Sequence, residues 1–119
     1  MNHKFSIITV CFNSEETIER TIISVLSQSY QDFEYIIVDG ASTDGTLSII
    51  KNYIKKYPDK IKLISEKDSG IYDAMNKGIR SASGNLIGIV NSDDYYEIDA
   101  LENISRAYDG KNMKLYMVC

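Results

Sequence analysis

The strongest constraint on the fold is an alternation. Four apolar runs rich in β-branched residues, at positions 5–11, 35–38, 61–64 and 86–90, are each followed by a segment whose apolar residues recur at helical spacing. A short run without polar alternation reads as a strand covered on both faces, and strands that alternate with helices are joined by crossovers, which produce a parallel sheet. The helical stripes are Ile18, Ile22, Val25 and Leu26; Leu47, Ile50 and Ile54; Ile71, Met75, Ile79 and Ala82; and Ile98, Leu101, Ile104 and Tyr108. Residues 113–118 offer a fifth strand. The predicted class is α/β: an open, mainly parallel, doubly wound sheet with helices on both faces and right-handed crossovers. Helix starts are expected at Asn13 with Glu16 three residues on, at Ser42 or Thr43, and at Ser92 or Asp93. Ser83-Gly84 is expected to close the third helix.

The 119 residues suit one domain, and 44% hydrophobic with 25% charged residues describes a chain that builds a core. A formal charge of −4 argues against nucleic acid as the main partner, since phosphate backbones need clustered Lys and Arg, and it invites a divalent cation instead. Cys11 and Cys119 are too few and too far apart for a disulfide framework or a zinc spacing, which fits a reducing cytoplasm. The chain starts almost at once on a strand, and no apolar stretch approaches about 18 residues, so by itself it is expected to be neither secreted nor membrane-spanning. His3 lies in a polar tail and takes no role. The chain closes on an apolar run with no following helix, which is expected of a truncated domain.

In open parallel sheets, ligands bind beyond the carboxyl ends of the strands, where loops converge with helix N-termini. That rule selects Phe12-Asn13-Ser14, residues 39–46, residues 66–70 and Asn91-Ser92-Asp93-Asp94. Asp39, Asp68, Asp93 and Asp94 would gather on one edge, where their repulsion calls for a cation or for hydrogen-bond donors. Asp44-Gly45 reads as an ordinary turn and helix start. Asp39 follows a buried strand directly, where nucleotide-binding sheets hold a carboxylate. Asp93-Asp94 suits Mg²⁺ or Mn²⁺, which take one or two protein carboxylates and complete their shell with diphosphate oxygens. On the third helix Asp73, Asn76 and Lys77 read from periodicity as a solvated face, with Lys77 beside a diphosphate as the functional alternative.

Residues 6–10 with Asn13, the block Leu26-Ser27-Gln28-Ser29-Tyr30, Asp32-Phe33-Glu34, residues 38–46, and 84–94 together resemble family 2 glycosyltransferases. Residues 66–79, with the core Gly-Ile-Tyr-Asp-Ala-Met-Asn-Lys-Gly-Ile, resemble the bacterial subgroup that builds O-antigen, capsule and exopolysaccharide chains. The resemblance implies the N-terminal, donor-binding part of a Rossmann-like GT-A nucleotide-diphospho-sugar transferase fold. It implies a nucleoside-diphosphate sugar, a divalent metal (Mn²⁺ or Mg²⁺), and inverting transfer to a saccharide or lipid-linked acceptor of the cell surface. Carried over by position, Val10 and Phe12 would border the base, Asp39 would bind the nucleoside, Asp93 the ribose and metal, and Asp94 the metal; Asp73 and Lys77 are further donor-site candidates. Many relatives are acidic where Gly40 and Asn91 stand. The catalytic base is expected in the later half of such a domain, and no segment here matches that motif. The parent protein is expected in the cytoplasm, with peripheral association at the inner face of the membrane, and an isolated donor half is expected to self-associate.

The alternative from another class is a truncated, non-catalytic module that binds a nucleotide sugar. A phosphoacceptor receiver domain would carry its acidic pair after the first strand, where Phe12-Asn13 stands, and a dinucleotide dehydrogenase would carry G-x-G-x-x-G there.

Overall fold

The computed structural model describes residues 4–108 and the backbone of residues 114–117. In chain order the elements are β1 (Phe5–Cys11), α1 (Ile18–Leu26), β2 (Phe33–Asp39), α2 (Thr46–Lys56), β3 (Ile61–Ser65), α3 (Ile71–Ser81), β4 (Leu86–Ile89), α4 (Ala100–Ala107) and β5 (Lys114–Met117). The sheet runs β3-β2-β1-β4-β5 with parallel pairing throughout. Cys11 lies opposite Asp39, and Asp39 opposite Ser65, so the carboxyl ends of the three strands finish level. The chain leaves β1 toward one edge and returns at β4 on its other side. That reversal is the crevice where ligands enter sheets of this kind.

Side-chain alternation along the strands divides the core into two layers. Phe5, Ile7, Tyr35 and Ile37 meet Ile18, Ile22, Val25, Ile50 and Leu101 from α1, α2 and α4. Ile8, Val10, Ile36 and Val38 meet Ala74 and Met75 of α3 on the opposite face. Each fully buried aliphatic side chain stabilises the fold by about 1.5–3 kcal/mol relative to exposure. β1, β2 and β4 are covered on both faces as expected, whereas β3 is only partly covered because it lies at an edge.

α4 packs into the same core layer as α1 and α2. Gln28, buried at the end of α1, donates to the Glu97 carbonyl and accepts from the Leu101 N–H, and Ser29 N–H donates to the Ile98 carbonyl. These bonds hold α4 on the α1 face.

Helix boundaries also shift. α1 begins after Thr17, α2 after Gly45 and α4 after Asp99, so none of the expected N-caps Asn13, Ser42, Thr43, Ser92 or Asp93 occupies a cap position. Each is drawn instead into loop contacts or the pocket wall described below. Ile98, expected on the fourth helix, precedes it and is exposed. α3 ends at Ser81, before Ser83-Gly84. Gly84 answers to a close approach: a Cβ there would lie 2.6 Å from the Lys4 carbonyl oxygen. At that end of the sheet the nearly buried Glu34 carboxylate accepts from Ser6 Oγ and from the N–H and hydroxyl of Ser83, and pairs with Lys62 at 3.2 Å. Burial would raise its pKa, but these donors prevail and lower it to about 2.

Candidate functional site

At the end of β1 the chain turns at Asn13, which adopts a left-handed φ of 48°. Asn13 is stitched to the loop after β2 from both sides: its N–H donates to Ser42 Oγ, and its Oδ1 accepts from the Thr43 N–H. Asn is among the residues that tolerate this conformation, because its short amide bonds locally. Ala41 in the facing loop is also left-handed, at φ 65°, without that compensation.

Asp39 organises this pair of loops. One carboxylate oxygen accepts from the Ser42 hydroxyl and the Cys11 thiol, and the other from the Ser42 N–H and the Ser65 hydroxyl. The side chain is 0% exposed and forms no part of the pocket wall. A buried carboxylate of this kind persists only when donors replace its water, and four are present. Burial, then the charge of Asp39 beside it, pushes the Cys11 thiol far up, so it is a thiol and not a nucleophile. Asp44 behaves as the sequence suggests: it accepts from the Thr46 hydroxyl and N–H at the start of α2, and those bonds hold its carboxyl below the usual range.

The loop after β4 is positioned by α1. Thr21, fully buried, donates its hydroxyl to the carbonyls of Ser92 and Asp94; Arg20 donates to the Asp93 carbonyl and stacks over the Tyr95 ring. Ser14 Oγ and Ser92 Oγ are bonded at 2.8 Å, which joins the loops after β1 and β4 across the crevice. The sequence pointed to Ser14 as part of a strand-end loop and to Ser42 as a helix start, and gave no role to Arg20, Thr21 or Ser65. The one available signal was Thr21, a polar residue set within the apolar stripe of α1.

Between these loops lies a cavity of about 730 Å³, within the range of small-ligand sites. On the α3 side its wall is Val10, Phe12, Ile71, Ala74, Gly70 and Asp68; on the α1 side it is Asn13 to Thr17 with Asp44; Asn91, Ser92 and Asp93 also line it. Val10, Phe12 and Asp93 are thus brought together as expected. Asp94 is not in the wall; its backbone carbonyl accepts from the Thr21 hydroxyl. Asp73 and Lys77 are also outside it: Asp73 accepts from the Ser69 N–H at the start of α3, and Lys77 pairs with Glu66 at 3.2 Å and Asp73 at 3.7 Å. The Ser69 N–H, with Lys77 assisting, holds the Asp73 carboxyl below its usual range.

The wall holds Glu15, Glu16, Asp44, Asp68 and Asp93, and no Lys or Arg. An anion cannot enter such a cavity without a counter-charge. Among the described residues no three His, Cys, Asp or Glu side chains converge as a ready-made cage. The donors do fit a hard cation that shares its shell with a ligand: Asn91 Oδ1 is buried without a hydrogen-bond partner, and Asp93 lines the same wall. Among the described residues no helix is long and apolar enough to cross a membrane.

The chain is similar in sequence and fold to known proteins. The chain is 41% identical over 98 residues to TuaG of Bacillus subtilis (strain 168), a glycosyltransferase named for teichuronic acid biosynthesis, covering 82% of this chain and 38% of the relative. The S. aureus TarS 1–349 structure in complex with UDP-GlcNAc superposes with TM-score 0.77 at 31% identity, over 87% of this chain and 30% of TarS. The mannosyltransferase PcManGT from Pyrobaculum calidifontis, in complex with GDP-Man and Mn²⁺, gives 0.82 at 28%, over 89% of this chain and 32% of its own. The chain thus spans about a third of these proteins, with the GT-A fold of the two solved neighbours. The family description Glycosyl transferase family 2 matches residues 6–118, and the chain belongs to that family.

Proposed function

We propose that this chain forms the donor site of a glycosyltransferase that moves a sugar from a nucleoside diphosphate to a cell-surface polysaccharide or lipid-linked acceptor, with inversion. The observation that carries the reading is the cavity at the sheet reversal, apolar on the α3 side and walled by five carboxylates without a cation. The apolar side suits a nucleobase bordered by Val10 and Phe12, and the loop after β4 suits the ribose and diphosphate. Asp93 and the amide oxygen of Asn91 would hold Mn²⁺ or Mg²⁺, with Asp94 contributing from just outside the wall. When bound, the metal would neutralise the diphosphate and stabilise it as a leaving group.

The chain's own residues set the geometry. Asp39 acts one step behind the nucleoside: it fixes Ser42, Ser42 fixes Asn13, and Asn13 aims Phe12 at the cavity mouth. Thr21 and Arg20 hold the Asp93 loop by its carbonyls, which leaves the carboxylate free for the ligand. Asp73 and Lys77 shape the start of α3, and through it Ile71 and Ala74 of the wall. In transfer, an acceptor hydroxyl forms a bond to the anomeric carbon as the sugar–phosphate bond breaks, and its proton passes to a general base. This reading assigns the general base and the acceptor site to no residue of this chain, which spans 38% of TuaG and 30% of TarS 1–349.

The test is calorimetry of the folded chain with UDP-, GDP- and dTDP-sugars in Mn²⁺. Saturable binding of at least one, lost in Asp93→Ala, is expected. A folded chain that binds none of them would refute the reading.

A further inference from the structure

Phe12 and Asp93 line the cavity from different loops, one after β1 and the other after β4. Among the described residues a single bond between side chains ties these loops together: Ser14 Oγ to Ser92 Oγ, 2.8 Å long, across 78 residues of sequence. Its direction follows from its neighbours. A serine hydroxyl has one proton to donate, and Ser14 gives its own to the Phe12 carbonyl at 3.2 Å. Ser92 is therefore the donor of the pair and Ser14 the acceptor. Each serine is also held from its far side. The Ser14 N–H donates to Thr46 Oγ1 at 2.8 Å, and that hydroxyl donates to the Asp44 carboxylate at the start of α2. The Ser92 carbonyl accepts from the buried Thr21 hydroxyl of α1. The pair thus completes a path from α2 to α1 that includes the backbone of Phe12 on one side and the residue preceding Asp93 on the other. Both serines line the cavity and are half-buried, which limits competition from water for the bond.

A nucleotide on the Phe12 side and a cation on the Asp93 side help each other only if the diphosphate and the metal meet at the right separation. With the serine bond made, that separation is set before either ligand arrives, and their contact forms without further ordering. With the bond broken, each loop moves on its own. A single ligand then orders only its own loop, whereas joint occupancy must also fix the spacing between the two, and the entropy lost in doing so is subtracted from the coupling. We infer that Ser14 and Ser92 are a positioning pair whose hydroxyl bond presets the spacing of the two loops and so carries part of the coupling between nucleotide and divalent cation. The inference rests on the proposed function above, whose cation-dependent site it deepens.

The experiment is calorimetry of the full chain with UDP and with GDP, each in EDTA and in saturating Mn²⁺, on wild type, Ser92→Ala, Ser14→Ala, the double variant and Ser92→Thr. Circular dichroism confirms that each is folded, and urea titration reads its stability separately. Ser92→Ala is expected to lower the Mn²⁺-dependent gain in nucleotide affinity about tenfold, or about 1.4 kcal/mol, with the affinity in EDTA unchanged. The double variant should match Ser14→Ala, because once one hydroxyl is gone the other has no bond left to lose. Ser92→Thr keeps the hydroxyl and should restore the gain. A bond that only stabilises the fold would lower the urea midpoint and leave the Mn²⁺-dependent gain as in wild type. That result, additive losses of the gain in the double variant, or no recovery in Ser92→Thr overturns the positioning pair and leaves the donor-site reading standing. A folded wild type that binds neither nucleotide overturns both.

Discussion

Asp39→Asn separates two roles for a carboxylate at the end of β2: touching the nucleoside, or holding the loops that do. The side chain is fully buried, with each oxygen accepting two hydrogen bonds. The amide removes the charge from all four and replaces one acceptor with a donor. Ser42 and Ser65 hydroxyls can rotate, but the Ser42 N–H cannot, so the amide oxygen should take the Oδ2 position and its nitrogen should face Cys11 and the Ser42 hydroxyl. Hydrogen bonds to a charged group contribute ~1.5–3 kcal/mol each, and about half of that four-bond network is lost, giving a destabilisation of about 3–6 kcal/mol. In urea titrations followed by circular dichroism, the midpoint should fall with the slope unchanged. The melting temperature should drop by roughly 4 °C per kcal/mol. A variant within ~1 kcal/mol of wild type that nonetheless loses nucleotide binding would refute the positioning argument and assign the carboxylate to the ligand.

Ala41 is held at φ 65°, a conformation that costs a non-glycine residue ~1–2 kcal/mol. Ala41→Gly recovers part of that against a looser unfolded chain, so a gain of about 0.5–1 kcal/mol in the same titration is expected, and a loss would contradict the strain. Glu34 has its pKa lowered from 4.5 to about 2. A depressed acid stabilises the fold above its unfolded value and loses that contribution as pH falls from about 4.5 toward 2. The decline should be shallower in Glu34→Gln; parallel pH profiles would contradict this. Thr21→Val keeps the shape of a buried side chain and removes the donor to the Ser92 and Asp94 carbonyls. Stability should fall by about 1–2 kcal/mol, and Mn²⁺-dependent nucleotide affinity roughly tenfold in calorimetry; unchanged affinity would show that the loop needs no support from α1.

The elements were legible in the sequence because their apolar runs are long and uninterrupted: β1 at 5–11 is found as expected, and β2, β3 and β4 differ by one or two residues at their ends. Edge burial was not, because β3 is an edge only through a strand order that no local pattern encodes. Caps failed for a tertiary reason, since Asn13 and Ser42 bond to each other's loops and not to their own helices. The placement of α4 beside α1 depends on Gln28, whose buried amide reaches the start of α4 across about seventy residues of sequence. Strand-end carboxylates were legible as a set, but their individual duties were not: the loop after β4 puts Asp93 in the wall and Asp94 outside it, register seals Asp39, and Lys77 is captured by Glu66 and Asp73.

The central claim is that an all-carboxylate cavity admits a nucleoside diphosphate only together with a divalent cation. Coupling between the two ligands tests it most directly, because linkage requires each to raise the affinity of the other by the same factor. Titrating the nucleoside diphosphate that the chain binds in EDTA and in saturating Mn²⁺, and Mn²⁺ with and without that nucleotide, should show coupling of at least about a hundredfold, ~2.7 kcal/mol, strongly reduced in Asp93→Asn. Nucleotide binding with equal affinity in EDTA and in Mn²⁺ would contradict the account.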